Sequence, residues 1–386
     1  MIATTESGLK IMSDRMRSLS IGEFLDLSPD NPEIANAFAK MQQHLDRCDK
    51  AQVSISGGAD SDVMLDLVLR ADKDRKASFV FFNTGIEYEA TKRHLKYLEI
   101  KYGTEIKEIK AKVPVPVACR KYGQPFLSKS ISKKIQELQR HGFKWEDKPC
   151  LELLEKYCNE LTENEAFKNG ELKRGVCEKY GRYWRGCANA ILWWCNENGD
   201  KSRFNIEYTS FLKEFMIENP PGFAISKECC ECSKKNVAKE AVKADECDLV
   251  MVGVRKAEGG IRSTSYSSCF SDATPKTVAQ FRPLFWFTNT DKEEYEEIFG
   301  VTHSDCYTVY GLDRTGCVGC PFGQNFEFEL EVTKQNEPKL YKAVNKIFGD
   351  SYEYTRRYYE YRKNKTEENA DFLQLSLFSG GEDYVS

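Results

Sequence analysis

Apolar residues recur at helical spacing between about residues 30 and 47 (DNPEIANAFAKMQQHLDR). Asp30 or Asn31 is placed to cap this stretch and Pro32 falls in its first turn, so the pattern predicts an amphipathic helix. A short apolar run, Gln52 to Ser56, follows. Gly57-Gly58 interrupts it, and helical periodicity resumes from about Ser61 to Arg70. A second apolar run, Ala77 to Phe82, ends in Asn83-Thr84-Gly85. A helix is expected over about 89–102 and a third strand near Glu105–Ala111. Short apolar runs alternating with helical segments are the signature of β-α-β-α-β, which requires parallel strands with helices on both faces.

The rhythm breaks at Pro114 and Pro116. From there to about 225 the chain reads as helical, rich in aromatic and basic residues, with Lys112 to Lys148 markedly basic. Strand character returns at Cys247–Val254 (CDLVMVGV) and again around Phe281–Phe287. A glycine- and cysteine-rich segment, 311–323, comes next. Residues 325–364 are charged and helical, with tyrosines clustered at 352–361, and the tail after about 365 is expected to be disordered. The expected organisation is an N-terminal helical segment (1–48), an α/β domain (49–111 and 226–324), a basic helical insertion (112–225), and a helical extension with a tail (325–386). The fold class is α/β: a Rossmann-like, doubly wound parallel sheet with a helical insertion and a helical C-terminal region.

Composition narrows the function classes. The apolar fraction of 41% is that of a globular protein, and a formal net charge of −4 leaves any nucleic-acid surface to be sought locally. The N-terminus lacks the apolar core of a secretory signal, and no window approaches the roughly 18 apolar residues of a membrane span. A cytoplasmic chain with no membrane partner is expected. Fifteen cysteines in a reducing compartment point to metal or catalysis rather than disulfides. Several of them, such as Cys48, Cys158 and Cys195, sit in helical apolar patterns and are read as small buried hydrophobes. Only four histidines occur, none paired with another at ligand spacing, which argues against histidine-based zinc catalysis and against a Ser-His-Asp triad.

The sharpest local signal is Ser54-Ile55-Ser56-Gly57-Gly58-Ala59-Asp60-Ser61, set between a predicted strand and a predicted helix. Glycines there let backbone approach a ligand closely, and the amides opening the next helix favour an anion. The Ser56 and Ser61 hydroxyls add donors, and Asp60 could hold Mg²⁺ against phosphate oxygens. The G-x-x-x-x-G-K-[ST] spacing of a Walker A loop is missing.

Residues 56–61 resemble the signature of the PP-loop ATP pyrophosphatases, which cleave ATP between its α and β phosphates. The resemblance implies that Ser56, Gly57, Gly58, Asp60 and Ser61 bind the pyrophosphate portion. Further stretches resemble one branch of that superfamily, the phosphoadenosine phosphosulfate (PAPS) reductase-like proteins. Asn83-Thr84-Gly85 with Glu87 and Thr91 is similar to its D-T-G…E-T stretch, with Asn in place of Asp. Gly253-Val254-Arg255 with Glu258 and Arg262 is similar to its G-x-R segment after the fourth strand. Phe281-Arg282-Pro283-Leu284-Phe285-Trp286 with Thr290-Asp291 is similar to its N-P-L…W-T-x-x-D stretch. The resemblance implies an adenine nucleotide alpha-hydrolase-like sheet of order 3-2-1-4-5. It also adds Ser54, Asn83, Thr84, Gly85, Gly253, Arg255 and Arg262 to the nucleotide-binding set.

Cys229-Cys230-x-Cys232 and Cys317-Val318-Gly319-Cys320 form two clamps far apart in the chain. Two thiolates one turn apart can converge on one metal, and Gly319 and Pro321 suit a tight knuckle around it. The residues alone leave open a structural Cys₄ zinc site using Cys229 and Cys232. The family resemblance implies a [4Fe–4S] cluster held by Cys229, Cys230, Cys317 and Cys320.

The chain departs from sulfonucleotide reductases in two respects. No cysteine follows Cys320, and the S-G-G-x-D-S loop, which those reductases degrade, is intact. The expectation is therefore an ATP-dependent adenylating enzyme that releases AMP and pyrophosphate, with Mg²⁺ as cofactor, in sulfur transfer to a small molecule or to DNA or tRNA. Asp60, Arg255 and Lys129 are its expected catalytic residues, a sulfur-donor protein an expected partner, and a homodimer an expected assembly. Two alternatives stand beside it. One is a PAPS or adenylyl sulfate reductase using another thiol, such as Cys269 or Cys306. The other is a nucleic-acid-binding protein with a structural zinc, in which Arg120, Lys121, Lys129, Lys133, Lys134, Arg140 and Lys144 track a phosphate backbone and Trp184, Trp193 and Trp194 stack on bases.

Overall fold

The structure is a computed structural model that describes residues 16–27, 31–158, 185–259, 265–323 and 325–379. The chain divides into two compact units. The first comprises residues 1–116, 230–319 and 327–342, and the second comprises 117–229, 320–326 and 343–386.

The first unit is built on a six-stranded sheet of order β3-β2-β1-β4-β6-β5. Its strands are β1 (Ala51–Ser54), β2 (Ala77–Asn83), β3 (Ile106–Lys110), β4 (Leu249–Val252), β5 (Phe270–Ser271) and β6 (Ala279–Phe281). Five strands run parallel in the expected order, β1 aligning Ala51 with Ala77 of β2 on one side and with Leu249 of β4 on the other. The sixth, β5, is a two-residue edge strand antiparallel to β6, too short to leave any periodicity in the sequence. The fifth parallel strand ends at Phe281 rather than extending to Phe287. Pro283 has no N–H for a ladder, and the amide of Phe285 turns back to the Arg282 carbonyl at 3.1 Å.

Four helices frame the start of this sheet: α1 (Ile21–Leu27), α2 (Pro32–Arg47), α3 (Ala59–Ala71) and α4 (Glu89–Tyr102). Asn31 caps α2, its side chain accepting from the amides of Glu33 and Ile34. Helix α3 follows the phosphate-loop motif and is apolar on nearly every side. Val63, Met64, Leu65, Leu67 and Val68 are all fully buried in the aliphatic core, together with Val53 of β1 and Met251 of β4. Gly103, at φ +56°, ends α4 in the left-handed conformation. Later come α5 (Asn236–Ala244), α6 (Asn289–Phe299), the single turn α7 (Asp305–Thr308) and α8 (Phe326–Asn336).

The second unit has its own core, and it is aromatic. Phe126, Phe143, Trp145, Trp194, Phe215, Tyr354 and Tyr358 pack together, with helices Cys150–Cys158 and Arg185–Trp194 against one another. Trp193 and Trp194 are 4% and 0% exposed, and the Trp194 indole donates to the Glu146 carbonyl at 2.9 Å. They are core residues, which corrects the reading of these tryptophans as base-stacking surfaces; Trp184 lies outside the described residues. Tyr354 and Tyr358 are buried, their hydroxyls donating to the carbonyls of Asn219 and Ser210. The last helix, Pro338–Ser379, runs well past residue 365, so the expected disorder of that stretch is also corrected. No helix among the described residues is long and apolar enough to cross a membrane.

Candidate nucleotide and metal site

The S-G-G-x-D-S motif lies at the C-terminal end of β1, in the turn that opens α3. Gly57 has φ +70°, and a Cβ there would lie 2.7 Å from Thr91 Cγ2, so only glycine fits. Ser61 organises the turn. Its hydroxyl donates to the Gly58 carbonyl at 2.7 Å and accepts from the amides of Gly58 (3.0 Å) and Ser56 (3.3 Å). The Ser56 hydroxyl lies 3.2 Å from that of Ser61. A Cβ at Gly58 would lie 3.1–3.2 Å from Ser56 Oγ, Thr315 Oγ1 and Tyr307 Oη, so the absent side chain leaves a small cradle walled by hydroxyls.

Asp60 and Arg255 meet beside this cradle. Arg255 Nε donates to Asp60 Oδ1 at 2.8 Å, while its Nη1 donates to Asn289 Oδ1 at 2.9 Å. Burial raises the Asp60 carboxyl above its ordinary range, and the Arg255 charge pulls it back down. Asp60 Oδ2 has no partner among the described residues, so one oxygen remains for a cation. Gly253, at the end of β4, allows the close approach of the two elements, since a Cβ there would sit 3.1 Å from the Asp60 carbonyl. Ser54 ends β1, half-buried, and Arg262 lies outside the described residues.

The Asn83-Thr84-Gly85 stretch at the end of β2 is occupied by internal contacts. The Asn83 side-chain oxygen Oδ1 accepts from the Gly85 amide at 2.8 Å, and its Nδ2 donates to Glu108. Thr84 is fully buried and donates through Oγ1 to Glu87 Oε1 at 2.6 Å; its amide donates to the same oxygen at 3.1 Å. Glu87 and Thr91 therefore hold the β2 turn and pack the loop. In the later stretch, Thr288 and Asp291 form the capping box of α6. Arg282 is fully buried, donating to Ser271 Oγ and Gln280 Oε1.

Beneath the loop lies an ionic cluster that sequence reasoning missed. Asp62, fully buried in the first turn of α3, is 3.0 Å from both His94 Nε2 and His303 Nδ1. His303 Nε2 is 2.8 Å from Glu296, which also pairs with Lys292. Burial by itself would lower the His303 pKa, but the Asp62 and Glu296 carboxylates raise it to about 9. The two histidines come from distant elements, so no spacing rule pairs them.

Cys317 lies at the C-terminal end of β2. Its Sγ is 3.4 Å from Thr84 Oγ1, and the next amide, of Val318, donates to the Ile86 carbonyl at 3.0 Å. Burial pushes the Cys317 thiol up, the Lys234 charge opposes this, and Cys230 adds to the rise. Cys229 and Cys230 end a helical turn that widens into a π-turn over Glu231–Lys235, a local geometry frequent at functional sites. Cys230 and Cys317 belong to the first unit, Cys229 and Cys320 to the second. Among the described residues, no group of three or more His, Cys, Asp or Glu side chains is gathered tightly enough to hold a metal ion. Cys306 is fully buried with its thiol pushed up by burial, which suits it poorly as a nucleophile; Cys269 is half-buried. Lys129 is the exposed first residue of the helix Lys129–Arg140 in the second unit.

Comparison with known proteins bears out the family resemblance over the segment that carries the loop. Residues 50–142 match the family model of the phosphoadenosine phosphosulfate reductase domain. No curated protein matches the chain. Among solved structures, the chain is similar to a phosphoadenylyl-sulfate reductase from Candida auris in a phosphate complex. That likeness has 11% identity and a TM-score of 0.38, covering 78% of this chain and 97% of the other. It is also similar to the U34-tRNA thiolase NcsA from Methanococcus maripaludis with its [4Fe–4S] cluster. Here identity is 14% and the TM-score 0.33, covering 86% of this chain and 79% of the other.

Proposed function

We propose that this chain, with its PAPS-reductase-type segment at residues 50–142, is an ATP-dependent adenylating enzyme of the PP-loop type. The observation that carries the reading is the intact S-G-G-x-D-S turn, built as an anion cradle at the C-terminal edge of a parallel sheet, where such sheets bind ligands. In the proposed reaction an oxygen of the acceptor attacks the α-phosphorus of ATP. The bond to the bridging oxygen breaks, pyrophosphate leaves, and a sulfur or nitrogen nucleophile then displaces AMP.

The loop amides and the hydroxyls of Ser56 and Ser61 bind the departing pyrophosphate. Arg255, fixed by Asp60 and Asn289, adds a cation; Lys129 and Arg262 are cation candidates from the sequence alone. Asp60 Oδ2 is the ligand position for Mg²⁺, which when bound neutralises phosphate charge. Catalysis by this arrangement is positioning and charge neutralisation. An intact pyrophosphate loop favours this reading over sulfonucleotide reduction, whose substrate carries no β–γ pyrophosphate. A [4Fe–4S] cluster on Cys229, Cys230, Cys317 and Cys320 is proposed from the cysteine pattern alone, with sulfur transfer as the reaction it would serve.

The test is an ATP-to-AMP assay on anaerobically purified protein with small-molecule, DNA and tRNA acceptors. Acceptor-dependent release of AMP and pyrophosphate is expected. Sulfite release from a sulfonucleotide, with no pyrophosphate from ATP, would replace this reading by the reductase one.

A further inference from the structure

The hydroxyl cradle around Gly58 contains two residues from outside the loop motif. Tyr307 belongs to α7 and Thr315 to the segment that runs from α7 to Cys317. The Tyr307 hydroxyl oxygen accepts from the Ala59 amide, at the first residue of α3, and from the Thr315 amide, both at 3.2 Å. Burial raises the phenol pKa, so Tyr307 is a neutral hydroxyl that keeps its proton. The Thr315 side chain also hydrogen-bonds this hydroxyl. The Thr315 side-chain hydroxyl stands on the same cradle, 3.2 Å from the Cβ position of Gly58. Of the two carboxylates in this turn, Asp60 engages Arg255 and Asp62 is turned to His94 and His303. The cradle is thus lined by the neutral hydroxyls of Ser56, Tyr307 and Thr315, with the Ser61 hydroxyl behind them held by the Gly58 carbonyl.

Neutral hydroxyls beside a helix N-terminus suit phosphate oxygens and suit a cation poorly. We propose that Tyr307 and Thr315 are phosphate-binding residues, their hydroxyls donating to the pyrophosphate portion of the nucleotide held on the loop. The assignment rests on the nucleotide reading above and deepens it. It adds a second layer of donors, supplied by the segment that leads to Cys317.

The test uses the anaerobically purified full chain and three probes: Mg·ATP, inorganic pyrophosphate and AMP. Tyr307→Phe removes one hydroxyl and keeps the ring. It should weaken ATP and pyrophosphate binding about 10-fold or more, the loss expected for one hydrogen bond to a charged group, and leave AMP binding within about 2-fold. Thr315→Val should act in the same direction and Thr315→Ser should restore binding, which keeps the assignment testable if the tyrosine variant misfolds. Unchanged ATP affinity in both Tyr307→Phe and Thr315→Val would overturn it, as would an equal loss for all three probes. Wild-type protein that binds neither ATP nor pyrophosphate would overturn the nucleotide reading itself, and this assignment with it.

Discussion

The phosphate loop and the Cys317 segment sit at the same edge of one sheet, at the ends of neighbouring strands, yet they are satisfied in opposite ways. In the loop, the amides and hydroxyls of three nearby residues, Ser56, Gly58 and Ser61, pair with one another and leave a small polar cradle. At Cys317, the thiol rests against Thr84, whose proton is committed to Glu87, with the Lys234 charge and Cys230 near enough to act on it. A short turn can complete an anion site from its own backbone. A metal site assembled from distant clamps depends on tertiary placement, and a ligand is needed to reward it.

The largest expected effect lies on the cysteine side. If the four cysteines hold the proposed [4Fe–4S] cluster, anaerobically purified protein is brown, and Cys317→Ser or Cys320→Ser should bleach it and lower its melting temperature, read by visible absorption and thermal denaturation. Cys232→Ser should leave the colour intact. Colourless wild-type protein with stoichiometric zinc would keep the four-cysteine site and remove the cluster.

On the loop side, Gly57→Ala forces a Cβ to 2.7 Å from Thr91 Cγ2 at φ +70°. A stability loss of about 1–3 kcal/mol is expected in urea unfolding; wild-type stability would show that the turn is not constrained as described.

The ionic cluster beneath the loop sharpens the comparison through pH. His303 has its pKa raised to about 9 in the fold, against 6.5 for the free side chain. Its contribution is fully present below 6.5 and is lost as pH rises through 9. His303→Gln should therefore cost about 1.5–3 kcal/mol more at pH 6 than at pH 10. Equal losses at both pH values would remove the charge from the explanation.

A smaller effect concerns Asp60. Its raised pKa predicts that Mg²⁺-dependent ATP affinity falls as pH drops, starting at higher pH than an ordinary aspartate would give, because protons compete with the metal. Affinity flat down to pH 4 would show that Asp60 does not bind the ion.

The same contrast explains what could be read from the chain before its structure. The loop was legible because its residues are contiguous and the flanking periodicities set strand and helix around them. The parallel strands followed from the β-α-β-α-β rhythm and its return at 247, and their order from the family resemblance, whereas β5, two residues long, has no periodicity to detect. Tyr307 and Thr315 reach the cradle from far along the chain through an irregular segment, so no pattern announced them. His94 and His303 looked unrelated in sequence and share one buried carboxylate. The tryptophans at 193 and 194 misled because an aromatic residue in a basic segment reads alike whether it faces solvent or core.

The central claim is that the turn at residues 56–61 binds the phosphates of ATP. Calorimetric titration of Mg·ATP into wild-type protein, Gly58→Val and Asp60→Ala tests it most directly. Valine would fill the cradle against Ser56, Tyr307 and Thr315, and alanine would remove the Mg²⁺ ligand and the partner of Arg255. Saturable binding to the wild type and none to either variant is the predicted result. Undiminished affinity in both variants would contradict the account.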